Sequence, residues 1–156
     1  TATVSGKPYE QEEIGQNRSC SNAMQYLFDT SILIDFLRKK QKVYDFLSHR
    51  ESDQFVTSAL CAFELESGVY RLESRDRALH QKKVTDLLQS LYDVVPFSRK
   101  EAEIAGEIQA RLSASGTIID DLDILIAATA ISSHSTLVTG NQKHFSRILN
   151  LDSIAI

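Results

Sequence analysis

Short apolar runs alternate with segments of helical periodicity along the chain from residue 24 onward. The apolar runs predict a sheet of four to five strands, at 25–28, 55–57, 92–95, 136–138 and 154–156. The periodic segments predict helices at 30–40, 43–47 and 59–72, then a charged helix up to 89, and helices at 99–114 and 121–132. Strands that alternate with helices indicate an α/β domain with a mostly parallel sheet, covered by helices on both faces.

Residues at the predicted helix ends support these boundaries. Ser58 and Ser98 stand where a helix N-cap is expected, since a serine hydroxyl can accept a hydrogen bond from a free backbone N–H. Gly116 follows the helix 99–114, where glycine commonly ends a helix.

The first 23 residues differ from the rest of the chain, because they hold glycine, proline, serine and asparagine but almost no apolar side chains. Such a segment cannot build a core. Met24, the only methionine, directly precedes the first apolar run. We expect a flexible N-terminal arm or expression leader at 1–23 and one folded domain at 24–156; the alternative is a native extension that docks on the domain.

Composition narrows the class of protein. The chain has 156 residues, 42% of them hydrophobic, with 17 basic and 21 acidic side chains and a net charge of -4. This balance argues against a protein that coats nucleic acid, but it allows an enzyme that cuts nucleic acid with bound cations. The longest strongly apolar stretch, 124–131, is too short to span a membrane, and no signal-peptide core precedes it. A soluble, cytoplasmic protein is expected.

Acidic side chains occur at positions that should be buried. Asp29 follows the first predicted strand, at the carboxyl edge where open α/β sheets place their sites; its alternative role is an N-cap. Glu64 borders the apolar stripe of its helix and therefore needs a partner, either Arg71 or a metal ion. Asp123 lies with two neighbouring acids at the start of the most apolar helix, where one acid can act as the cap and the others repel one another unless cations are near.

Carboxylates that converge from separate elements are typical ligands of Mg²⁺ or Mn²⁺. The two cysteines cannot form a zinc site, the four histidines show no zinc-like spacing, and no phosphate-binding loop occurs. Asp35 is left out of this set, because it lies opposite the apolar stripe of its helix and is expected to pair with Lys39. The residues thus indicate metal-assisted hydrolysis without naming a substrate.

Four segments resemble motifs of the PIN-domain ribonucleases, specifically the VapC-type toxins of toxin–antitoxin pairs. They are Phe-Asp-Thr-Ser at 28–31, Phe-Glu-Leu-Glu-Ser-Gly at 63–68, Asp-Leu-Asp-Ile-Leu-Ile-Ala-Ala at 121–128, and Leu-Val-Thr-Gly-Asn at 137–141 followed by Phe145. Their order and spacing match the family over residues 24–156. The resemblance implies a PIN-like α/β/α sandwich and an endoribonuclease that depends on Mg²⁺ or Mn²⁺, with one or two ions.

The resemblance also implies roles for individual residues. Asp29, Glu64 and Asp123 would be the catalytic acids and metal ligands, and Asp121 an additional ligand. Thr30, Thr139 and Asn141 would line the site. Asn141 stands where the family often has aspartate, so it brings an amide oxygen without a negative charge. A water activated by the metal would attack the RNA phosphodiester.

Partners follow from the same resemblance. The substrate would be RNA, the inhibitor a VapB-type antitoxin with a basic segment in the acidic groove, and the chain would form a homodimer with no organic cofactor. The candidate RNA-binding residues are Arg38, Lys39, Lys143 and Arg147; the alternative explanation for the first pair is a solvated helix end that complements the helix dipole. Two other functions stay open: a PIN-like scaffold that binds RNA or protein without cutting, and an RNA-processing nuclease outside a toxin–antitoxin pair.

Overall fold

The strands form one sheet in which every described pair is parallel. In a computed structural model, which describes residues 22–156, they are β1 (Gln25–Phe28), β2 (Gln54–Ser58), β3 (Asp93–Val95), β4 (Thr136–Thr139) and β5 (Ser153–Ala155). They are ordered β3-β2-β1-β4-β5. The chain thus leaves central β1 toward one side and later returns to its other side, and ligands bind at such a switch point in open α/β sheets.

Helices connect the strands, so the predicted α/β fold is confirmed. They are α1 (Thr30–Leu37), α2 (Gln41–Ser48), α3 (Ala59–Tyr70), α4 (Ser74–Ser90), α5 (Arg99–Ala114), α6 (Asp121–Ser132) and α7 (Gln142–Phe145). The first helix ends earlier than its predicted end at residue 40, because Lys39 adopts a positive φ of 57° that a right-handed helix excludes. Helix α7 was not predicted, since four residues are too few to show a helical period.

The burial of strand β1 shows that the sheet is covered on both faces. Successive side chains of a strand point to opposite faces. Leu27 is fully buried, and its neighbours Tyr26 and Phe28 are also buried. The two aromatic rings pack against Phe46 of α2 and Phe55 of β2. Both faces of β1 are therefore dry, and the polar groups that follow it stand at the rim of a core.

The predicted caps are present. The Ser58 hydroxyl accepts a hydrogen bond from the Cys61 N–H at 3.0 Å and so begins α3. Ser98 is the N-cap of α5, where Glu101 reaches back to its backbone N–H at 2.8 Å. Gly116 follows the end of α5 with a φ of 68°, which glycine adopts without a steric cost.

One predicted ion pair is wrong. Asp35 pairs with Lys42 of α2 at 2.8 Å, and not with Lys39, because the chain turns after α1 and carries residue 39 away from the helix face. Across residues 22–156, no helix combines the length and the hydropathy that a membrane span requires.

Candidate active site

Asp29 lies directly after β1, is only 7% exposed, and is held by three hydrogen-bond donors. Its Oδ1 accepts from the Thr30 N–H at 2.7 Å, so the carboxylate does cap α1. Its Oδ2 accepts from the Thr139 hydroxyl at 2.7 Å and from the Ser31 hydroxyl at 3.2 Å. The N-cap role and a role in a site are thus compatible, since the donors fix the orientation of the carboxylate.

Glu64 reaches the same place from α3. The Thr30 hydroxyl donates a hydrogen bond to Glu64 Oε2. Oxygen atoms of Asp29 and Glu64 and the Cys61 sulfur lie within 4.8 Å of one another. Arg71, the predicted alternative partner of Glu64, makes no side-chain hydrogen bond or ion pair to it within residues 22–156. Glu64 therefore clusters with Asp29 and does not pair with Arg71.

The acids at the start of α6 point in different directions. Asp120 caps the helix by accepting from the Leu122 N–H at 2.9 Å. Asp123 is half-buried, and its negative charge acts on both Asp29 and Glu64. Asp121 is exposed, and its Oδ1 accepts from Gln109 of α5 at 3.0 Å. The fold thus brings Asp123 to the pair from β1 and α3, while Asp121 hydrogen-bonds toward α5.

Burial and like charges raise the pKa of both central acids. For Asp29, burial outweighs its hydrogen bonds and raises the pKa above the usual value, and the charge of Asp123 adds to this. For Glu64, burial again raises the pKa and the hydrogen bond from Thr30 lowers it. The charges of Asp29, Asp123 and Asp120 then raise the Glu64 pKa further. These carboxylates repel one another in the absence of a cation.

Cys61 forms the floor beside the two acids. It is fully buried, and its sulfur accepts a hydrogen bond from the Ser58 hydroxyl at 3.1 Å. Burial raises the pKa of the Cys61 thiol. A neutral thiol is a poor ligand for a hard cation, so the oxygen ligands of the acids dominate the chemistry of the site.

The turn after β4 closes the site on the other side. Thr139 is fully buried, and its hydroxyl accepts from the Asn141 N–H at 2.9 Å while donating to Asp29. The Gly140 N–H donates to the Ser31 hydroxyl at 3.0 Å. These bonds tie the loop after β4 to the loop after β1. The structure thus places Thr30 against Glu64, Thr139 against Asp29, and the Asn141 N–H against the Thr139 hydroxyl.

The predicted RNA-binding residues are not one patch. All four are exposed, namely Arg38, Lys39, Lys143 and Arg147. Arg38 lines a cavity of about 340 Å³ together with Glu64. Arg147 lines a different cavity, beside Arg111 of α5, which none of the site acids borders. Of these residues, Arg38 shares a cavity with an acid of the site.

Some residues at the site could not be predicted from their own pattern. His144 of α7 places Nδ1 2.7 Å from Asp123 Oδ2, although no spacing among the histidines marked it. Cys61 belongs to the apolar stripe of its helix and reads as core, and Ser31 stands in the motif at 28–31 without a predicted role of its own. Their signal was indirect: each stands within three residues of a candidate acid.

The donor set fits a hard divalent cation. Asp29, Glu64 and Asp123 offer carboxylate oxygens from the end of β1 and from two helices, and no lysine or arginine within residues 22–156 forms an ion pair with them. Mg²⁺ and Mn²⁺ prefer such ligands. Acids with raised pKa values at the switch point of an open sheet are candidate ligands of a cation.

The sequence model of the PIN domain family matches residues 26–150. This is most of the chain, so the protein belongs to the PIN domain family, and the resemblance carried by its four motifs is confirmed.

Within the PIN domain family, the chain is similar to ribonucleases of the VapC group. Ribonuclease VapC2 of Rickettsia felis is 33% identical over 132 residues, which cover 82% of this chain and 95% of the relative. Ribonuclease VapC1 of Methanocaldococcus jannaschii is 30% identical over 122 residues, which cover 78% of this chain and 79% of the relative.

Solved structures show the same fold. The crystal structure of VapBC2 from Rickettsia felis, bound to a DNA fragment from their promoter, aligns with a TM-score of 0.78 at 30% identity and covers 85% of this chain and 99% of that chain. The DNA-bound VapBC of Salmonella typhimurium aligns with a TM-score of 0.76 at 22% identity, covering 85% and 98%, and supports the fold alone. Within its family, the chain is thus similar to the VapC ribonucleases.

Proposed function

We propose that this protein is a metal-dependent endoribonuclease that hydrolyses RNA phosphodiester bonds and acts as the toxin of a type II toxin–antitoxin pair. The observation that carries the proposal is the acidic cluster at the end of β1: oxygen atoms of Asp29 and Glu64 lie within 4.8 Å of each other, and the charge of Asp123 acts on both. No lysine or arginine of residues 22–156 forms an ion pair with these three acids. The similarity to VapC ribonucleases supports the same activity. The PIN domain is assigned to residues 24–156, and the family match lies within it.

The cofactor is Mg²⁺ or Mn²⁺, with Asp29, Glu64 and Asp123 as its ligands. When bound, such an ion supplies positive charge that lowers the pKa of water and stabilises the charge developing on a phosphodiester. Thr139, Ser31 and the Thr30 N–H hold the Asp29 carboxylate in one orientation. Asp121 is exposed and its Oδ1 is bound to Gln109 of α5, so it is a further ligand with a smaller contribution.

RNA enters over an acidic site and therefore needs basic groups at the rim. Arg38 is the foremost candidate, since it shares the cavity beside Glu64. Lys39 follows it at the end of α1, and Lys143 lies on α7 next to the site. Arg147 would grip a more distant part of the RNA. Contacts of these side chains with phosphates would position RNA without reading its sequence.

The partner is a VapB-type antitoxin with a basic segment, which the uncompensated acids of the site would attract. The VapBC2 structure of Rickettsia felis, at 30% identity, supports such a partner. A homodimer is supported by the exposed aromatic rings of Phe63 and Tyr70 on α3, at 61% and 64% exposure. A protein that cleaves cellular RNA would act in the cytoplasm.

Cleavage of a mixture of structured RNAs tests the activity. Wild type with Mg²⁺ or Mn²⁺ is compared with Asp29→Asn, with a chelator, and with Asp35→Asn as a matched control. Asparagine caps helices as well as aspartate does, so Asp29→Asn keeps the fold while it removes the charge. Asp35 lies on α1 but pairs with Lys42 outside the site.

The expected result is cleavage by wild type and by Asp35→Asn, and none by Asp29→Asn or after chelation. Cleavage by Asp29→Asn at the wild-type rate would contradict the proposal. If the folded, antitoxin-free wild type is inert on all RNAs with both metals, the protein is instead a scaffold that binds without cutting.

A further inference from the structure

Asp123 differs from the other two acids in how it is held. Asp29 accepts three hydrogen bonds and Glu64 accepts one from Thr30. Within residues 22–156, the Asp123 side chain has a single partner, Nδ1 of His144, at 2.7 Å. The position of the third acid thus depends on one side chain from α7.

His144 has a second neighbour at the same nitrogen. Asn141 Nδ2 lies 2.8 Å from His144 Nδ1. A carboxylate that binds a cation is ionised and can only accept hydrogen bonds, so Nδ1 must carry a proton and donate it to Asp123. A protonated Nδ1 cannot also accept from an amide NH₂. The side-chain amide of Asn141 must therefore be rotated by half a turn, so that its Oδ1, and not its Nδ2, lies next to His144 Nδ1. This rotation exchanges an oxygen and an NH₂ group of nearly the same shape.

We propose that His144 is a positioning residue that holds the Asp123 carboxylate toward Asp29 and Glu64, and that Asn141 acts through His144 rather than on the cation. This inference rests on the proposed function, because it concerns the same cation site. It assigns a role to two residues that the acid motif alone leaves unexplained: a histidine outside any zinc-like pattern and an amide in place of an acid.

The backbone supports this arrangement. Helix α7 begins directly after Asn141, and the His144 N–H donates to the Asn141 carbonyl at 3.2 Å. The Asn141 N–H is in turn bound to Thr139, which donates to Asp29. The loop that orients Asp29 therefore also carries the imidazole that orients Asp123. The two acids are linked through hydrogen bonds of one turn at the end of β4.

Rigid holding of a ligand strengthens metal binding, because the free carboxylate would otherwise lose rotamer freedom when the cation binds. Removing a partner that orients a metal ligand typically lowers metal affinity about 10- to 100-fold. His144 is 51% exposed, so its replacement leaves no buried cavity. An effect of His144 on metal binding would thus be separable from an effect on folding.

The test is Mn²⁺ affinity, measured by calorimetry on the full chain, for wild type, His144→Phe, His144→Asn, Asn141→Ala and the double variant His144→Phe/Asn141→Ala. An asparagine amide can place its nitrogen where Nδ1 stands, whereas phenylalanine keeps the ring and loses the donor. His49→Phe, at the exposed C-terminal end of α2, is the matched control. Thermal unfolding in chelator checks that each variant is folded.

We expect His144→Phe to weaken Mn²⁺ binding about tenfold and His144→Asn to restore it to within about threefold of wild type. Asn141→Ala should add no further loss in the His144→Phe background, because it acts through the lost imidazole. Wild-type affinity in His144→Phe, or a full additional loss from Asn141→Ala, would overturn the inference. Absence of Mn²⁺ binding and RNA cleavage by wild type would instead overturn the proposed function.

Discussion

Glu101 and the two central acids of the candidate site, Asp29 and Glu64, have opposite surroundings. Glu101 on α5 is 6% exposed and accepts hydrogen bonds from the Ser98 backbone, from the Ser98 hydroxyl and from the Ser132 hydroxyl of α6. These bonds lower its pKa to about 2. Asp29 and Glu64 are also held by donors, yet burial and neighbouring acids raise their pKa values.

The difference shows how a structural acid can be distinguished from a functional one. Glu101 is stable as an anion because its donors satisfy it completely, and it joins two packed helices. The acids at the end of β1 and on α3 are left with excess negative charge, which only a cation or a proton can relieve. Carboxylates that repel one another until a cation binds are typical of a cation-binding enzyme.

The largest expected difference between the two groups is in catalysis. Glu64→Gln and Asp123→Asn should each lower the rate of RNA cleavage at least about 100-fold, because each removes a ligand and a negative charge from the cation site. Glu101→Gln should cleave within about twofold of wild type per folded molecule. Initial rates on one RNA at saturating Mn²⁺ measure this. Equal losses in all three variants would mean that buried charge alone does not mark the site.

The loss of folding stability should be larger in Glu101→Gln than in the variants of the site acids. Glu101→Gln should lower the free energy of unfolding by about 1–3 kcal/mol, since the charge-assisted hydrogen bonds to Ser98 and Ser132 are lost. Urea unfolding at pH 7 in chelator provides the measurement, with exposed Glu103→Gln of the same helix as control. If Glu101→Gln proves as stable as the control, the network joining α5 and α6 contributes little.

Low pH should abolish the stabilisation of the fold by the Glu101 carboxylate. Its pKa is lowered from 4.5 to about 2 in the folded state, so its stabilisation is present above pH 4.5 and is lost as the pH falls toward 2. The difference in stability between wild type and Glu101→Gln should therefore shrink between pH 5 and pH 2. Urea unfolding across this range checks the prediction, and a constant difference would exclude the charge of Glu101 as its source.

The smallest effect is expected at Asp121. Its carboxylate is exposed and accepts from Gln109, so Asp121→Asn should lower cleavage less than about threefold, and an asparagine can keep the hydrogen bond. Cleavage rates of Asp121→Asn and Asp123→Asn, measured side by side, compare two acids on one helix turn. A loss in Asp121→Asn as large as that in Asp123→Asn would show that Asp121 is a ligand of equal weight.

Much of the fold could be predicted from the sequence, because apolar periods and capping residues act locally. The bounds of α6 and the caps at Ser58 and Ser98 follow from such local signals. Helix α7 was missed because it is too short to show a period. The partner of Asp35 was predicted wrongly because the turn at Lys39 depends on tertiary structure, which helical spacing does not reveal.

The candidate site divides in the same way. Asp29, Glu64 and Asp123 could be picked out because an acid at the border of an apolar stripe requires a reason. His144 could not, because its only mark is a contact between two elements that are distant in the sequence. The sequence also could not predict which way the side chains of Asp120 and Asp121 point. Three acids within four residues are equivalent in the sequence, and only the packing of α5 distinguishes them.

The most direct test of the account is the stability of wild type and Asp29→Asn at pH 7, each with chelator and with Mn²⁺. Because the pKa of Asp29 is raised in the folded state, its charge destabilises the fold as the pH rises through that pKa, so Asp29→Asn should be more stable than wild type in chelator. Mn²⁺ binds the native wild type and should raise its stability, by about 2.7 kcal/mol at 100 times the dissociation constant, with much less effect on Asp29→Asn. An Asp29→Asn variant that is less stable in chelator, and gains as much from Mn²⁺ as wild type, would contradict a cation site built on Asp29.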